Sequence, residues 1–238
     1  MRLSPWGRVV AISALLIVGG LLTLALAGLA SRERRLVSYP VKGALQGLTF
    51  DLGDGDITIV GGGRRDDVQI GRTERYAFGR SPRTARQVRA GVFGVTSRCP
   101  TSLLAPCTVD YRVVVPDNVA VTVHTTRGNV ALRGYRGTAK VATTSGAIDI
   151  AGYCGNSLDA RATAGAIALD ASCAPPQLTL RTGSGDVHAT LPAGRYDIDA
   201  ESASGDEQVR GITARDDAPY TVQVLSASGD VVVQGRTP

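Results

Sequence analysis

Apolar side chains recur at fixed distances from a glycine along most of the chain. Seven short motifs share this glycine, and apolar residues stand at the second and fourth positions after it and at the fifth and seventh positions before it. Among these 28 positions the one exception is Glu207. The corner glycines are Gly55, Gly128, Gly146, Gly165, Gly185, Gly205 and Gly229.

The spacing of two within each arm is that of a β-strand with one buried face. The glycine between the arms predicts a tight corner with positive φ, which neighbouring Ser, Asp or Asn side chains help to cap. From Gly128 onward the glycines are 18, 19, 20, 20 and 24 residues apart. A period of this size is typical of stacked repeat folds, so each copy is predicted as strand, corner, strand and loop.

Parallel stacking allows such units to bury their apolar faces against one another. Adjacent coils would lie about 4.8 Å apart. We therefore predict an all-β fold, a parallel β-solenoid (a β-helix-like stack) of about seven coils over residues 45–238. A β-sandwich of hairpins is the alternative, but it would not explain the near-constant register of the motifs. We expect the last coil, which ends near Gly235, to leave an exposed edge.

Residues 62–118 interrupt the register between the first two copies and contain three strand-like stretches. We predict either an antiparallel elaboration of the rod or a longer, distorted pair of coils. The insertion is rich in arginine. Arg72, Arg75 and Arg83 are candidates for contact with anionic envelope polymers or lipid headgroups. The alternative is that these arginines are scattered over a solvated strand face.

Four cysteines occupy positions that suit two disulfides. Cys154 and Cys173 each lie eight residues after a corner glycine, so they take the same slot in consecutive coils. Stacked Cα atoms about 4.8 Å apart can be bridged. Cys99 and Cys107 bracket a short loop with two prolines and form the other pair. Disulfides indicate an oxidising compartment; four free buried thiols are the alternative.

An uncharged apolar run extends over 22 residues from Val9 to Ala30. As a helix it would span about 33 Å, enough to cross a hydrocarbon core of about 30 Å. We interpret residues 1–8 as a cytoplasmic N-terminus, 9–30 as a transmembrane signal anchor and 31–44 as a juxtamembrane linker. A cleaved signal peptide is the alternative. The flanking arginines alone favour the opposite orientation, but long domains translocate largely regardless of them.

Charge and composition argue against several functions. The formal charge is +5, yet no basic run resembles a nucleic-acid-binding arm. The only histidines, His124 and His188, fall on different arms of distant coils, which disfavours a catalytic or metal pair. Asp51, Asp54 and Asp56 resemble an oxygen-rich calcium loop, although solvated turn aspartates explain them more simply. We expect no catalytic residues, no metal and no cofactor.

The apolar N-terminal run, the repeated Thr-x-Ser-Gly-Asp-Val corners and the segment CTVDYRVVVP together resemble the putative adhesin family, a bacterial domain of unknown function. The resemblance covers about Leu45 to Gly235. It implies a right-handed parallel β-solenoid on the cell envelope and no catalytic residues. Ala147 and Ala166 replace the usual aspartate, so a role that needs this aspartate in every coil is disfavoured.

These observations predict a non-catalytic, membrane-anchored cell-envelope protein with an extracytoplasmic, adhesin-like domain. Its expected partners are the membrane and either cell-wall polymer or another envelope protein, and no nucleic acid. An envelope-sensing or regulatory module that acts with membrane partners is the alternative. A carbohydrate-active β-solenoid enzyme is a second alternative.

Overall fold

A computed structural model describes residues 13–23, 32–65, 67–101 and 106–236. Residues 13–23 form an exposed helix and belong to the predicted membrane anchor. Within the described ranges, no helix has both the length and the apolar character needed to span a membrane. The remainder of the predicted anchor, and the predicted cytoplasmic residues 1–8, lie outside the described residues.

The rest of the described chain is made of β-strands in two ten-stranded sheets. The first ten strands are β1 (Arg32–Lys42), β2 (Gly47–Asp54), β3 (Ile57–Val60), β4 (Asp67–Ala77), β5 (Arg83–Arg89), β6 (Val92–Arg98), β7 (Cys107–Val114), β8 (Ala120–Arg127), β9 (Val130–Arg133) and β10 (Ala139–Ser145). The other ten are β11 (Ile148–Tyr153), β12 (Ser157–Ala164), β13 (Ile167–Ala171), β14 (Gln177–Ser184), β15 (Val187–Leu191), β16 (Arg195–Ser202), β17 (Glu207–Arg210), β18 (Thr213–Ala214), β19 (Thr221–Ser226) and β20 (Val231–Gly235).

Each of the seven glycine-cornered coils places one strand in each sheet and joins the two strands at its glycine. The sheet orders are β1-β4-β7-β3-β9-β11-β13-β15-β20-β17 and β18-β16-β19-β14-β12-β10-β8-β2-β6-β5. Equivalent residues pair in parallel: Ile148 lies between Val130 and Ile167. These apolar residues are fully buried between the sheets. The parallel stack is therefore confirmed, and the sandwich of hairpins is wrong because neighbouring coils do not pair antiparallel.

The insertion contains the predicted antiparallel elaboration, together with one additional coil in place of a distorted pair. Strands β6 and β7 pair in parallel with β2 and β3 and form an additional coil outside the first glycine-cornered one. Strands β4 and β5 then pair antiparallel with β7 and β6. The insertion is thus one further coil of the solenoid plus an antiparallel end.

The predicted linker 31–44 contains strand β1, which pairs antiparallel with β4 from Arg32↔Ala77 to Lys42↔Asp67. Every second residue of its later half, Val37, Tyr39 and Val41, is half-buried. This alternation is that of a strand with one face toward a core. The linker interpretation is therefore wrong for these residues, because β1 covers the otherwise open edge of β4.

The order of coils in space departs from chain order at the C-terminal end. Strand β19 pairs with β14 and β16, and β20 pairs with β15 and β17. The last coil is thus inserted between the coils cornered at Gly185 and Gly205. The expected exposed edge at Gly235 is wrong, because Val231–Val233 are buried and require a neighbour on both sides. The edge coil instead contains β17, whose Glu207 is exposed.

Candidate functional surface at the N-terminal end of the solenoid

The corner glycines form a column along the solenoid. Six of the seven have φ between +129° and +156°, and Gly205 is the exception. A Cβ atom on Gly146 would lie 2.2 Å from the carbonyl oxygen of Gly128, and one on Gly165 would lie 2.0 Å from that of Gly146. The corners therefore require glycine for its conformation and for the close approach of successive backbones. This column is a structural feature.

At four of the seven corners, the Thr or Ser three positions before the glycine donates a hydrogen bond to the carbonyl of a neighbouring corner glycine. Thr182 Oγ1 donates a hydrogen bond of 2.9 Å to the carbonyl of Gly165. Ser226 Oγ donates one of 3.0 Å to the carbonyl of Gly185. These bonds explain why Thr or Ser recurs at this position of the motif, since the hydroxyl satisfies a carbonyl at the corner.

The aspartate that follows the glycine bonds to the coil on the opposite side of the one that the hydroxyl contacts. Asp186 Oδ1 accepts a hydrogen bond of 2.9 Å from the backbone N–H of Asp230. Asp230 Oδ1 accepts one of 2.9 Å from the N–H of Asp206. Ala147 and Ala166 supply no such acceptor, so the ladder is interrupted there. The repeated aspartates serve the stacking of coils.

The three candidate calcium ligands also have protein partners. Asp51 forms an ion pair of 2.6 Å with Arg98, and Asp54 forms one with Arg127. Asp56 Oδ1 accepts a hydrogen bond of 2.7 Å from the backbone N–H of Asn129. Within the part of the chain that the structure describes, no three His, Cys, Asp or Glu residues form a group that could hold a metal ion. These carboxylates bind neighbouring coils.

The two histidines are not brought together. His124 lies on β8 and His188 on β15, in different sheets, and both are exposed. No catalytic or metal pair can be built from them.

Both predicted disulfides are present. Cys154 and Cys173 follow β11 and β13 on consecutive coils, and their Cα atoms are 4.7 Å apart. Cys99 and Cys107, with Cα atoms 5.7 Å apart, close the corner loop of the additional coil formed by β6 and β7. One disulfide therefore links two regular coils, and the other stabilises the insertion.

The three predicted contact arginines do not form one surface. The Arg72 side chain is 13% exposed and pairs with the buried Glu74 at 2.8 Å. Arg75 is paired with Asp110. Arg83 is exposed on edge strand β5 and has no ion-pair partner among the described residues. The insertion thus neutralises two of the three arginines internally and leaves Arg83 available.

Other basic residues join Arg83 at this end of the solenoid. We define the N-terminal cap as strands β1, β4, β5 and β6 with the turn 78–82. Its ion pairs engage Arg72, Arg75 and Arg98. Eight further basic residues of the cap are exposed and form no ion pair with any described residue: Arg32, Arg34, Arg35, Lys42, Arg80, Arg83, Arg86 and Arg89. The cap therefore carries a concentrated positive charge.

Strands from both sheets meet in the cap. The Arg86 guanidinium lies 4.7 Å from the centroid of the Tyr39 ring, which joins β5 to β1. Burial raises the pKa of the Tyr39 hydroxyl. A groove of about 400 Å³ lies between these strands, with Val41, Val88 and Phe93 among its lining residues. The groove has apolar walls beside cationic side chains.

The cap also exposes large apolar side chains. Leu36 is 70% exposed, Val88 62% and Phe78 44%. Outside the cap and the helix at 13–23, Val209 is the one comparably exposed large apolar residue of the described chain. Sequence reasoning missed this surface because β1 was interpreted as a linker, and because strand alternation cannot identify the open end of a stack.

The opposite end of the rod has the opposite charge. The cap contains eleven basic and three acidic residues, whereas residues 192–218, which form the edge coil and the loops beside it, contain three basic and seven acidic ones. The overall charge of +5 therefore conceals a separation of charge along the rod.

The chain is similar to known proteins over most of its length. Residues 41–234 match the family described as Toastrack DUF4097. Similar solved structures include a putative cell adhesion protein from Clostridium sporogenes, 11% identical over 86% of this chain and 100% of that chain, with a TM-score of 0.48. A putative adhesin from Bacteroides fragilis is 12% identical over 85% of this chain and 97% of that chain, with a TM-score of 0.42.

No curated protein matches the chain. The family match alone spans most of the sequence, including every glycine corner and both disulfides, and it confirms the expected membership in a domain family of unknown function. The protein belongs to the Toastrack DUF4097 family.

Proposed function

We propose that the chain is a non-catalytic, adhesin-like interaction module of the cell envelope, anchored in the membrane by residues 9–30. The observation that carries this proposal is the position of β1. Only Ser31 separates the apolar run from β1, and β1 is paired with β4 along its whole length. A membrane anchor would therefore hold the solenoid by its cap, with almost no spacer.

The disulfides support an extracytoplasmic position for the solenoid. Both bridges lie within the rod, and disulfides persist chiefly in oxidising compartments. The translocated domain would then be the part after residue 31, as the long-domain exception to the charge rule allows.

The rod is suited to present its far end away from an anchor. Each sheet contains ten strands, which at about 4.8 Å per strand extend roughly 43 Å. The far end is acidic and exposed over β17 and β18. We propose this end as the contact surface for a wall polymer or another envelope protein.

Topology can be tested by labelling engineered cysteines in intact cells with a membrane-impermeant maleimide. A Thr213→Cys variant in β18 should be labelled without permeabilisation, and a Ser4→Cys variant only after it. The four native cysteines should react only after reduction. Labelling of Ser4→Cys but not Thr213→Cys in intact cells would reverse the proposed orientation.

The contact surface can be tested with a photo-crosslinking residue in place of the exposed Gln208 in β17. We expect adducts with wall polymer or an envelope protein. The matched control carries the same crosslinker at the exposed Ala168 in β13, in the middle of the rod. Equal adducts from both positions would contradict a specific far-end contact. Adducts with a single integral membrane protein would favour the envelope-sensing alternative.

A further inference from the structure

We propose that the N-terminal cap docks on the anionic phospholipid surface of the membrane that anchors the chain. The inference rests on the proposed function for the anchor, but the lipid contact is a separate property of the cap. Chain order supports it directly, because β1 begins two residues after the apolar run ends at Ala30. The cap is therefore the part of the solenoid nearest the proposed bilayer.

The distribution of charge fits a lipid surface. The eight exposed basic residues of the cap come from β1, the turn 78–82 and β5, so they spread over both sheets. Clusters of four to eight Lys or Arg residues beside a membrane segment are attracted to anionic headgroups. The carboxylates of Glu74, Asp110 and Asp51 neutralise only other arginines. The free charges remain available to phosphates.

The apolar residues of the cap distinguish a membrane from a soluble polyanion. Leu36, Phe78 and Val88 stand exposed among the arginines. A hydrated wall polymer offers these side chains no apolar environment, whereas the headgroup–acyl boundary does. The groove of about 400 Å³ combines an apolar wall with Lys42 and Arg86. The cationic side chains complement the phosphate of an anionic lipid, and the apolar wall complements the acyl boundary beneath it.

The acidic far end is consistent with the same arrangement. Residues 192–218 carry an excess of acidic side chains, which an anionic surface repels. At roughly 43 Å from the cap, an upright far end lies well beyond the Debye length of about 8 Å. The repulsion therefore acts on a rod that tilts toward the membrane, and it favours the upright position by opposing that tilt. The charge separation along the rod then has a physical role.

The experiment uses the full chain in lipid nanodiscs and measures hydrogen exchange of the backbone amides of β1. Discs of phosphatidylcholine alone are compared with discs that also contain phosphatidylglycerol. We expect at least about tenfold slower exchange on the anionic discs, because several basic residues act together. High salt should remove this protection, since it screens exposed charges.

Two charge-reversal variants test which end is responsible. The cap variant combines Arg80→Glu, Arg83→Glu and Arg89→Glu, and it should lose the protection of β1 on anionic discs. The matched control combines Arg195→Glu, Arg210→Glu and Arg215→Glu at the far end and should retain it. Unchanged circular dichroism spectra would show that both variants keep the β-fold.

Three outcomes would overturn the inference. Equal exchange on both types of disc would remove the lipid contact. Equal protection in the two variants would show that the cap arginines are not responsible. Protection on phosphatidylcholine discs after addition of soluble anionic wall polymer would assign the cap to the polymer. If the chain leaves both types of disc, the anchor proposal fails by itself, and co-sedimentation with phosphatidylglycerol vesicles then decides the lipid contact.

Discussion

The regular glycine-cornered stack and the N-terminal cap are built from the same alternating strands, but their polar side chains have different partners. In the stack, Thr182, Ser226 and Asp186 bond to the backbone of a neighbouring coil. In the cap, eight basic side chains are exposed and remain without ion pairs among the described residues. The stack uses its polar groups for its own stability, whereas the cap leaves them available for binding.

The largest difference between the two regions should appear at their glycines. Gly146→Ala places a Cβ 2.2 Å from the Gly128 carbonyl oxygen at a φ of +146°, so adjacent coils must separate. We expect a loss of about 3 kcal/mol or more in unfolding free energy. Urea unfolding of the full chain in mild detergent, followed by circular dichroism, measures it.

The control for this glycine lies in the cap. Gly79 has a φ of +64° but no heavy atom within 4 Å of an added Cβ. Gly79→Ala should therefore cost only about 1 kcal/mol, from the backbone conformation alone. An equal loss in both variants would mean that contact between coils does not set the need for glycine.

The two disulfides provide the next comparison. Replacing Cys154 and Cys173 with Ser opens a loop with a sequence separation of 19 residues and should cost about 3 kcal/mol. Replacing Cys99 and Cys107 opens one of 8 residues and should cost about 2.5 kcal/mol, because loop entropy grows with loop length. Thermal or urea unfolding would measure both losses. A larger loss for the Cys99–Cys107 pair would show that the insertion depends on its bridge more than the regular stack does.

Buried tyrosine hydroxyls in the stack and in the insertion should show a smaller difference in their contribution to unfolding free energy. Tyr135 donates to the carbonyl of Val119, so Tyr135→Phe should cost about 1 kcal/mol. Tyr111, in β7 of the insertion, has no such partner among the described residues, and Phe preserves its ring contact with Phe50. Tyr111→Phe should therefore be neutral or slightly stabilising, which the shift of the urea midpoint would show. A clear loss for Tyr111→Phe would contradict this difference.

The aspartate ladder predicts a smaller effect. Asp186→Ala removes the acceptor for the Asp230 N–H and should cost about 1 kcal/mol. The matched change Asp206→Ala, on the edge coil, should stay within about 0.5 kcal/mol because an exposed substitution without such a bond has little effect. Unfolding midpoints measure both changes, and equal losses would mean that the ladder does not stabilise the stack.

The smallest effect at neutral pH concerns titration of the stack tyrosines. Burial raises the pKa of the Tyr135 and Tyr153 hydroxyls. The folded state therefore retains these protons above pH about 10, where unfolded tyrosines lose them. Stability is unaffected below that pH and falls as the pH rises above it. Urea midpoints measured as a function of pH should decline less steeply above pH about 10 when both tyrosines are changed to Phe. An identical decline would show that Tyr135 and Tyr153 do not cause the loss of stability at high pH.

The regular stack could be predicted from the sequence because its determinants are local. Alternation within each arm identifies the strands, and the glycine identifies the corner. The equal spacing of Cys154 and Cys173 from their glycines identified a bridge that the structure contains. Each of these signals depends on residues within a single coil or at the same position in the next.

Only the tertiary structure decided the two ends of the rod. Chain order suggested that the coil ending at Gly235 lies last, yet β20 is inserted between β15 and β17. Burial makes that choice, because Val231–Val233 need neighbours on both sides and the exposed Glu207 does not. Burial also explains why β1 is a strand, since its alternate residues Val37, Tyr39 and Val41 are half-buried. Which arginines are paired depends likewise on contacts that form only in the folded chain. Local patterns specify a coil, but the order and ends of a stack depend on contacts between residues far apart in the chain.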